Sequence, residues 1–142
     1  MKISTRGRYG LRLLLDLAQR SSETHVTLAS VAQRQGISVR YLEQVAIILR
    51  RGGIIRSVKG AQGGYALARK PDEIILGDVL RGLEGDMLII DPPLENEPEN
   101  RLQRCVRETV FDKINERIAE VIDRETLADL AGIMPVTDMY FI

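Results

Sequence analysis

Tryptophan is absent from this 142-residue chain, and aromatic residues make up only 4% of it. Any core must therefore be built from aliphatic side chains. There is one cysteine, Cys105, which excludes an intramolecular disulfide framework and an all-protein zinc finger and fits a reducing cytoplasm. The single histidine, His25, leaves little material for a metallo-hydrolase or a histidine-based triad, and in a polar run it reads as a solvated loop residue. Long hydrophobic runs are missing too. The longest unbroken one is Val45 to Leu49, too short to cross a bilayer, so no membrane is expected as a partner. The basic N-terminus has its apolar stretch interrupted by Arg12 and Asp16, which argues against a secretory signal.

What is present is an ordinary globular composition, 44% hydrophobic and 28% charged, with a formal net charge of zero. That zero conceals a partition. Residues 1–70 carry 13 Lys/Arg against three acids, a net of +10, and residues 71–142 carry 7 against 17, a net of −10. A basic half suits a polyanion. The alternative is that the two halves merely attract each other.

Helical spacing of Leu11, Leu14, Leu15 and Ala18 predicts a first helix, capped by Ser4 or Thr5 and ending near Arg20. Thr27 caps a second from Leu28 to Gln35, closed by Gly36 at a left-handed position. Ser38 caps a third, with Leu42, Val45, Ala46 and Leu49 on one face and Gly52-Gly53 at its end. The period then becomes extended. Ile54 to Val58 and Tyr65 to Ala68 read as strands around the glycine-rich Lys59 to Gly64 loop. Pro71 ends this unit, and Ile75 to Leu83 predicts a fourth helix stopped by Gly85.

Asp86 to Asn100 holds three prolines, five acids and no basic residue, and reads as an exposed linker or loop. From Arg101 to about Asp123, Leu102, Val106, Val110, Ile114, Ile118 and Val121 form one apolar stripe, with Phe111 alongside. This stripe exceeds the needs of its own domain and predicts packing on a second copy; an internal core helix is the alternative. Glu108, Asp112, Glu116 and Glu120 face elsewhere and keep this half from DNA phosphates. Thr126 starts a short helix to about Leu130, and Gly132 and Pro135 lead to the tail Met139-Tyr140-Phe141-Ile142. The expected organisation is a DNA-binding domain over 1–85, an acidic loop over 86–100, and a dimerisation helix with tail over 101–142.

Leu28 to Leu49 has the layout of a helix-turn-helix, and a glycine-tipped basic hairpin directly after it makes that layout winged. The fold class is thus mainly α with a small β-wing, plus a long dimerisation helix. Ser38 as cap, and Val39, Arg40, Tyr41, Glu43 and Gln44 at the start of the third helix, lie where a recognition helix reaches bases. Glu43 suits a cytosine amino group and Gln44 an adenine; the alternative for Glu43 is a salt bridge to Arg40 or Arg50. Tyr41 reads either as a phosphate contact through its hydroxyl or as a core residue. Lys2, Ser4, Thr5, Arg6 and Arg8 surround a helix N-terminus whose free amides suit phosphate. Arg56, Lys59 and Gln62 are placed to flank the minor groove. The partner these residues imply is double-stranded promoter DNA.

The segments Met1 to Gly10, Tyr41 to Gln44 and Gly60 to Leu67 resemble the Rrf-two family of bacterial regulators. Asp78-Val79-Leu80, Leu83-Glu84-Gly85, Thr126 to Leu130 and the tail extend the resemblance over nearly the whole chain, with its CymR-type cysteine-metabolism repressors most similar. The resemblance implies a homodimer on pseudo-palindromic promoter DNA. Its alternatives are an interaction protein docking a cysteine synthase-type enzyme, and a redox or iron–sulphur sensor. Cluster-bearing members use three cysteines between the fourth and the long helix. This chain offers only Cys105, and Glu108 stands where a ligand histidine is expected. No cofactor and no metal are therefore expected. Cys105, beside the stripe, reads as a half-buried thiol, with a redox switch as the alternative. The family often has arginine at Lys59, and a lysine there lacks the planar fork.

Overall fold

The structure, a computed structural model, describes residues 1–133. The sequence from residue 134, including Pro135 and the Met139-Tyr140-Phe141-Ile142 tail, lies outside the described residues.

Three short helices pack first. They are α1 (Thr5–Gln19), α2 (Leu28–Gln35) and α3 (Val39–Arg51). Two of their starts are capped as the sequence predicts: the Thr27 hydroxyl accepts from the Ser30 amide at 3.2 Å, and Ser38 accepts from the Tyr41 amide at 3.1 Å. Gly36 takes φ 66°, so α2 ends in the left-handed turn that glycine adopts without strain. The hairpin β1 (Ile55–Val58) and β2 (Gly64–Leu67) follows, antiparallel, with Ile55 opposite Leu67. A 3-10 turn, Pro71–Glu73, leads into α4 (Leu76–Glu84).

The long helix is made of α5 (Arg101–Val106), a π-helical turn (Arg107–Phe111) and α6 (Asp112–Arg124). Last among the described residues comes α7 (Leu127–Ile133), whose start is closed by Thr126 and Asp129 capping each other's amides at 3.1 and 2.9 Å. Gly132 is helical there, so the last helix runs past the Leu130 end predicted for it.

One aliphatic core joins α1 to α4, the wing and α7, while the long helix adds no buried residue to it. Leu13, Leu14 and Leu17 of α1 meet Val31, Leu42, Val45, Leu49, Ile55, Ile74, Val79 and Leu83. Leu127 of α7 returns to the same core, fully buried. The backbone secures that return: the Leu127 amide donates to the Ile74 carbonyl at 2.8 Å, and Leu76 to Glu125 at 2.9 Å. Close approach of α1 to α4 depends on Gly10, where a Cβ would collide with Leu83.

Asp16 is buried between α1 and α2. It accepts from Arg34 at 3.0 and 2.7 Å and from Gln35 at 3.1 Å. Burial alone would raise its carboxyl, but the Arg34 and Gln35 hydrogen bonds, with the charges of Arg34 and Arg20, hold it below the ordinary carboxylate value. On the far side, Arg81 of α4 clasps Asp123 of α6 at 2.7 and 2.8 Å.

Candidate nucleic-acid interface

The apolar side of α3 (Leu42, Val45, Ala46, Leu49) is buried, which turns Val39, Arg40, Glu43 and Gln44 to the surface, all exposed. Among the described residues Glu43 forms no ion pair, so the salt bridge to Arg40 or Arg50 is not made. Ile47 lies on the same face and is 47% exposed. The sequence reading missed it because it falls inside the run Val45 to Leu49. Its signal is its place in the series 40, 43, 44, 47, which traces one side of a helix.

The start of α1 differs from expectation. Ser4 stands at the cap position, yet its hydroxyl does not cap the helix. Instead Glu84, from the end of α4, reaches this N-terminus and accepts from the Ser4 amide at 2.9 Å, the Ser4 hydroxyl at 2.6 Å and the Gly7 amide at 2.9 Å. A carboxylate thus takes two of the amides at the helix start that the sequence reading offered to phosphate, since a helix N-terminus attracts a tethered anion. The cations around it, Lys2, Arg6 and Arg8, stay exposed. Thr5 is half-buried, with its hydroxyl 2.8 Å from that of Tyr41. Tyr41 also packs edge-on against Tyr9, centroids 5.3 Å apart. Its hydroxyl therefore ties α3 to α1, and its half-buried ring packs against the core.

In the wing, Arg56, Lys59 and Gln62 are all exposed. A third extended segment supports them: Val26 and Tyr65 exchange both backbone hydrogen bonds at 2.8 Å. Gly64 permits this approach, because a Cβ there would strike the Val26 carbonyl. His25 is half-buried and its Nε2 meets the Gln62 carbonyl at 2.5 Å, so it holds the wing loop and is not the solvated residue the sequence suggested.

Along the long helix, Leu102 is 77% exposed, Ile114 40% and Val121 66%; Val106 and Val110 are also exposed, and Ile118 is half-buried. The stripe therefore lies outside the chain's own core. Cys105 is exposed, against the half-buried expectation, because α5 contributes no residue to that core. Glu108, Glu116 and Glu120 are exposed, whereas Asp112 is half-buried and engaged by Arg107 at 2.8 Å. Arg107 also holds Glu99 at 2.7 and 2.8 Å. Its guanidinium keeps the Glu99 carboxyl below the usual range.

These elements have known counterparts. The Rrf2 family model, described as "Iron-dependent Transcriptional regulator", matches residues 3–132. The chain is 40% identical to the HTH-type transcriptional regulator CymR of Bacillus subtilis, over 93% of this chain and 91% of that protein. It is 42% identical to protein rrf2 of Nitratidesulfovibrio vulgaris, over 92% and 87%. The solved structure of B. subtilis CymR, described as its global cysteine regulator, superposes with a TM-score of 0.81 and covers 95% of this chain and 99% of that one.

The residues present do not fit an iron site. The chain has one cysteine, the nearby Glu99 and Asp112 are held by Arg107, and among the described residues no group of three His, Cys, Asp or Glu is arranged to hold a metal ion. No step is derived through iron. A winged helix-turn-helix of this geometry, matched over 3–132, belongs to the Rrf2 family of transcriptional regulators.

Proposed function

We propose that the chain is a homodimeric repressor that occupies pseudo-palindromic promoter DNA in the cytoplasm and performs no catalytic step. The observation that carries this reading is the coincidence of the +10 half with three exposed sets of side chains, on α3, at the start of α1 and on the wing. Val39, Arg40, Glu43 and Gln44 read base edges from α3, with Ser38 and Tyr41 fixing that helix. Lys2, Arg6 and Arg8 meet phosphates by charge, with Ser4 and Thr5 shaping the start of α1. Arg56, Lys59 and Gln62 flank the minor groove. Leu102, Val106, Val110, Ile114, Ile118 and Val121 cover themselves on a second copy, which sets two recognition helices on two half-sites.

The similarity to a relative described as a global cysteine regulator supports genes of cysteine and sulphur metabolism as the targets. The test is selection of bound fragments from genomic DNA by protein purified in air with chelator. The expected result is one consensus with two inverted half-sites upstream of such genes. No enriched sequence would overturn the DNA reading, and enrichment only with iron restored would overturn the independence from a cluster. Docking with a cysteine synthase-type enzyme is the other reading; co-purification of that enzyme with no DNA consensus would favour it.

A further inference from the structure

A cavity of about 500 Å³ opens beside the root of the wing, between the end of α1 with its following turn and the exit from β2. None of the residues lining it belongs to α3 or to the long helix. Arg20 lines it, yet the Arg20 Nε is buried without a hydrogen-bond partner. Its neighbour Asp16, 3.5 Å away, already accepts from Arg34 and Gln35. The Nε faces Asp16, while the Arg20 side chain as a whole is 36% exposed and adds its charge to the cavity.

The edge of β2 is open at the same place. Ala68 donates to the Ile54 carbonyl on the β1 side, while Tyr65 pairs with Val26 on the other side. By the alternation of an antiparallel ladder, the N–H and C=O of Leu67 point away from β1, toward the cavity. The third strand stops at Val26, so no backbone group meets them. Charge agrees with this opening. Arg56 and Lys70 line the cavity and form no ion pair among the described residues. Against them stand Glu73 and Glu23, the latter 3.9 Å from Arg20.

The geometry points to a binding site for a small organic anion, carrying carboxylate or phosphate, held by Arg20, Arg56 and Lys70 with its polar remainder along the Leu67 edge. The cavity lies in the size range of small-molecule sites, and cationic side chains beside a free N–H select anions. An occupant bridges the α1–α2 turn and the wing root, and so couples to operator affinity. That consequence rests on the DNA-binding reading.

The test titrates succinate, and separately inorganic phosphate, into the full chain without DNA by calorimetry. Saturable binding of at least one, one per chain, is expected, and the arm that binds identifies the anionic group. Lys70 is the residue to change, because Arg56 also belongs to the proposed DNA surface. Lys70→Glu is expected to weaken the anion about tenfold or more, while Lys59→Glu, the same charge change outside the cavity, stays within about twofold. Neither anion binding, or equal loss in both variants, overturns the site. The selected operator is then titrated with and without the anion. A shift of about threefold or more is expected in the wild type and none in Lys70→Glu. If Lys70→Glu abolishes operator binding without any anion, the cations serve DNA phosphates and the proposal is overturned. If no DNA binds while calorimetry still reports the anion, the DNA reading fails and the site stands.

Discussion

Asp16 is 2% exposed, and its two oxygens hold Arg34 and Gln35 across the α1–α2 contact. Its carboxyl lies below the ordinary value when folded, so its contribution is present above about pH 4 and is lost as pH falls through the folded value. Asp16→Asn is expected to cost about 2–4 kcal/mol at neutral pH by leaving Arg34 unpaired. It should also flatten the acid limb of stability, as denaturant unfolding between pH 6 and 2 (about the range where carboxyls titrate) would show. A variant with the wild-type acid limb would remove Asp16 from that role. Glu43 is the opposite case, an exposed acid with no ion-pair partner among the described residues. Glu43→Ala should relax base preference while nonspecific affinity stays equal or rises, compared on operator and scrambled duplexes. Unfolding of that variant would instead make Glu43 structural. Individual partners were the least legible part of the sequence. Nothing local links Glu84 to the start of α1 or His25 to Gln62, because those contacts join residues 80 and 37 apart.

Elements were legible where local chemistry decides them. Thr27, Gly36 and Ser38 act on their own neighbours, so the helix-turn-helix boundaries follow from sequence alone. The long helix shows the complementary lesson. Its stripe repeats every four residues from Leu102 to Ile118, whereas an α-helix turns once in about 3.6, so such a stripe drifts around an unbroken α-helix. The π turn at Arg107–Phe111 takes up the extra residue and brings the stripe back to one side. The run of fours was the signal, read as a plain helix. Ile114 lies just past this turn and is 40% exposed. Ile114→Glu places an unpaired charge in the proposed dimer seam, at a cost of several kcal/mol if it is buried. The variant should sediment as a monomer and lose cooperative binding to a two-half-site operator, while residues 1–70 stay folded. A fully dimeric variant would refute the seam.

At the scale of the molecule, the chain divides by charge without dividing its core. The acidic segment after residue 70 supplies α4 and α7, and Ile74, Val79, Leu83 and Leu127 complete the core of the basic half. The return of α7 was not legible, because a seven-residue helix carries too few apolar positions to reveal its partner. The charge division therefore belongs to the surface. The basic half, with Lys2, Arg6, Arg8, Arg40, Arg56 and Lys59 exposed, suits phosphate; the long helix, with Glu108, Glu116 and Glu120 exposed, repels it. In a dimer joined through the long helices, the repelling surfaces lie centrally and the two cationic faces lie apart. Each face then meets its own half-site. With about four phosphates neutralised per half, the log of operator affinity should fall against the log of salt concentration with a slope of roughly −7. Glu84 enters this number, because it takes the Gly7 amide and sets a fixed negative charge beside Lys2, Arg6 and Arg8, so that side-chain cations must supply the counterion release. Operator binding measured across a salt series decides the matter. A slope near zero would show that the +10 half is balanced by the −10 half within the molecule, and would remove the electrostatic basis for DNA binding.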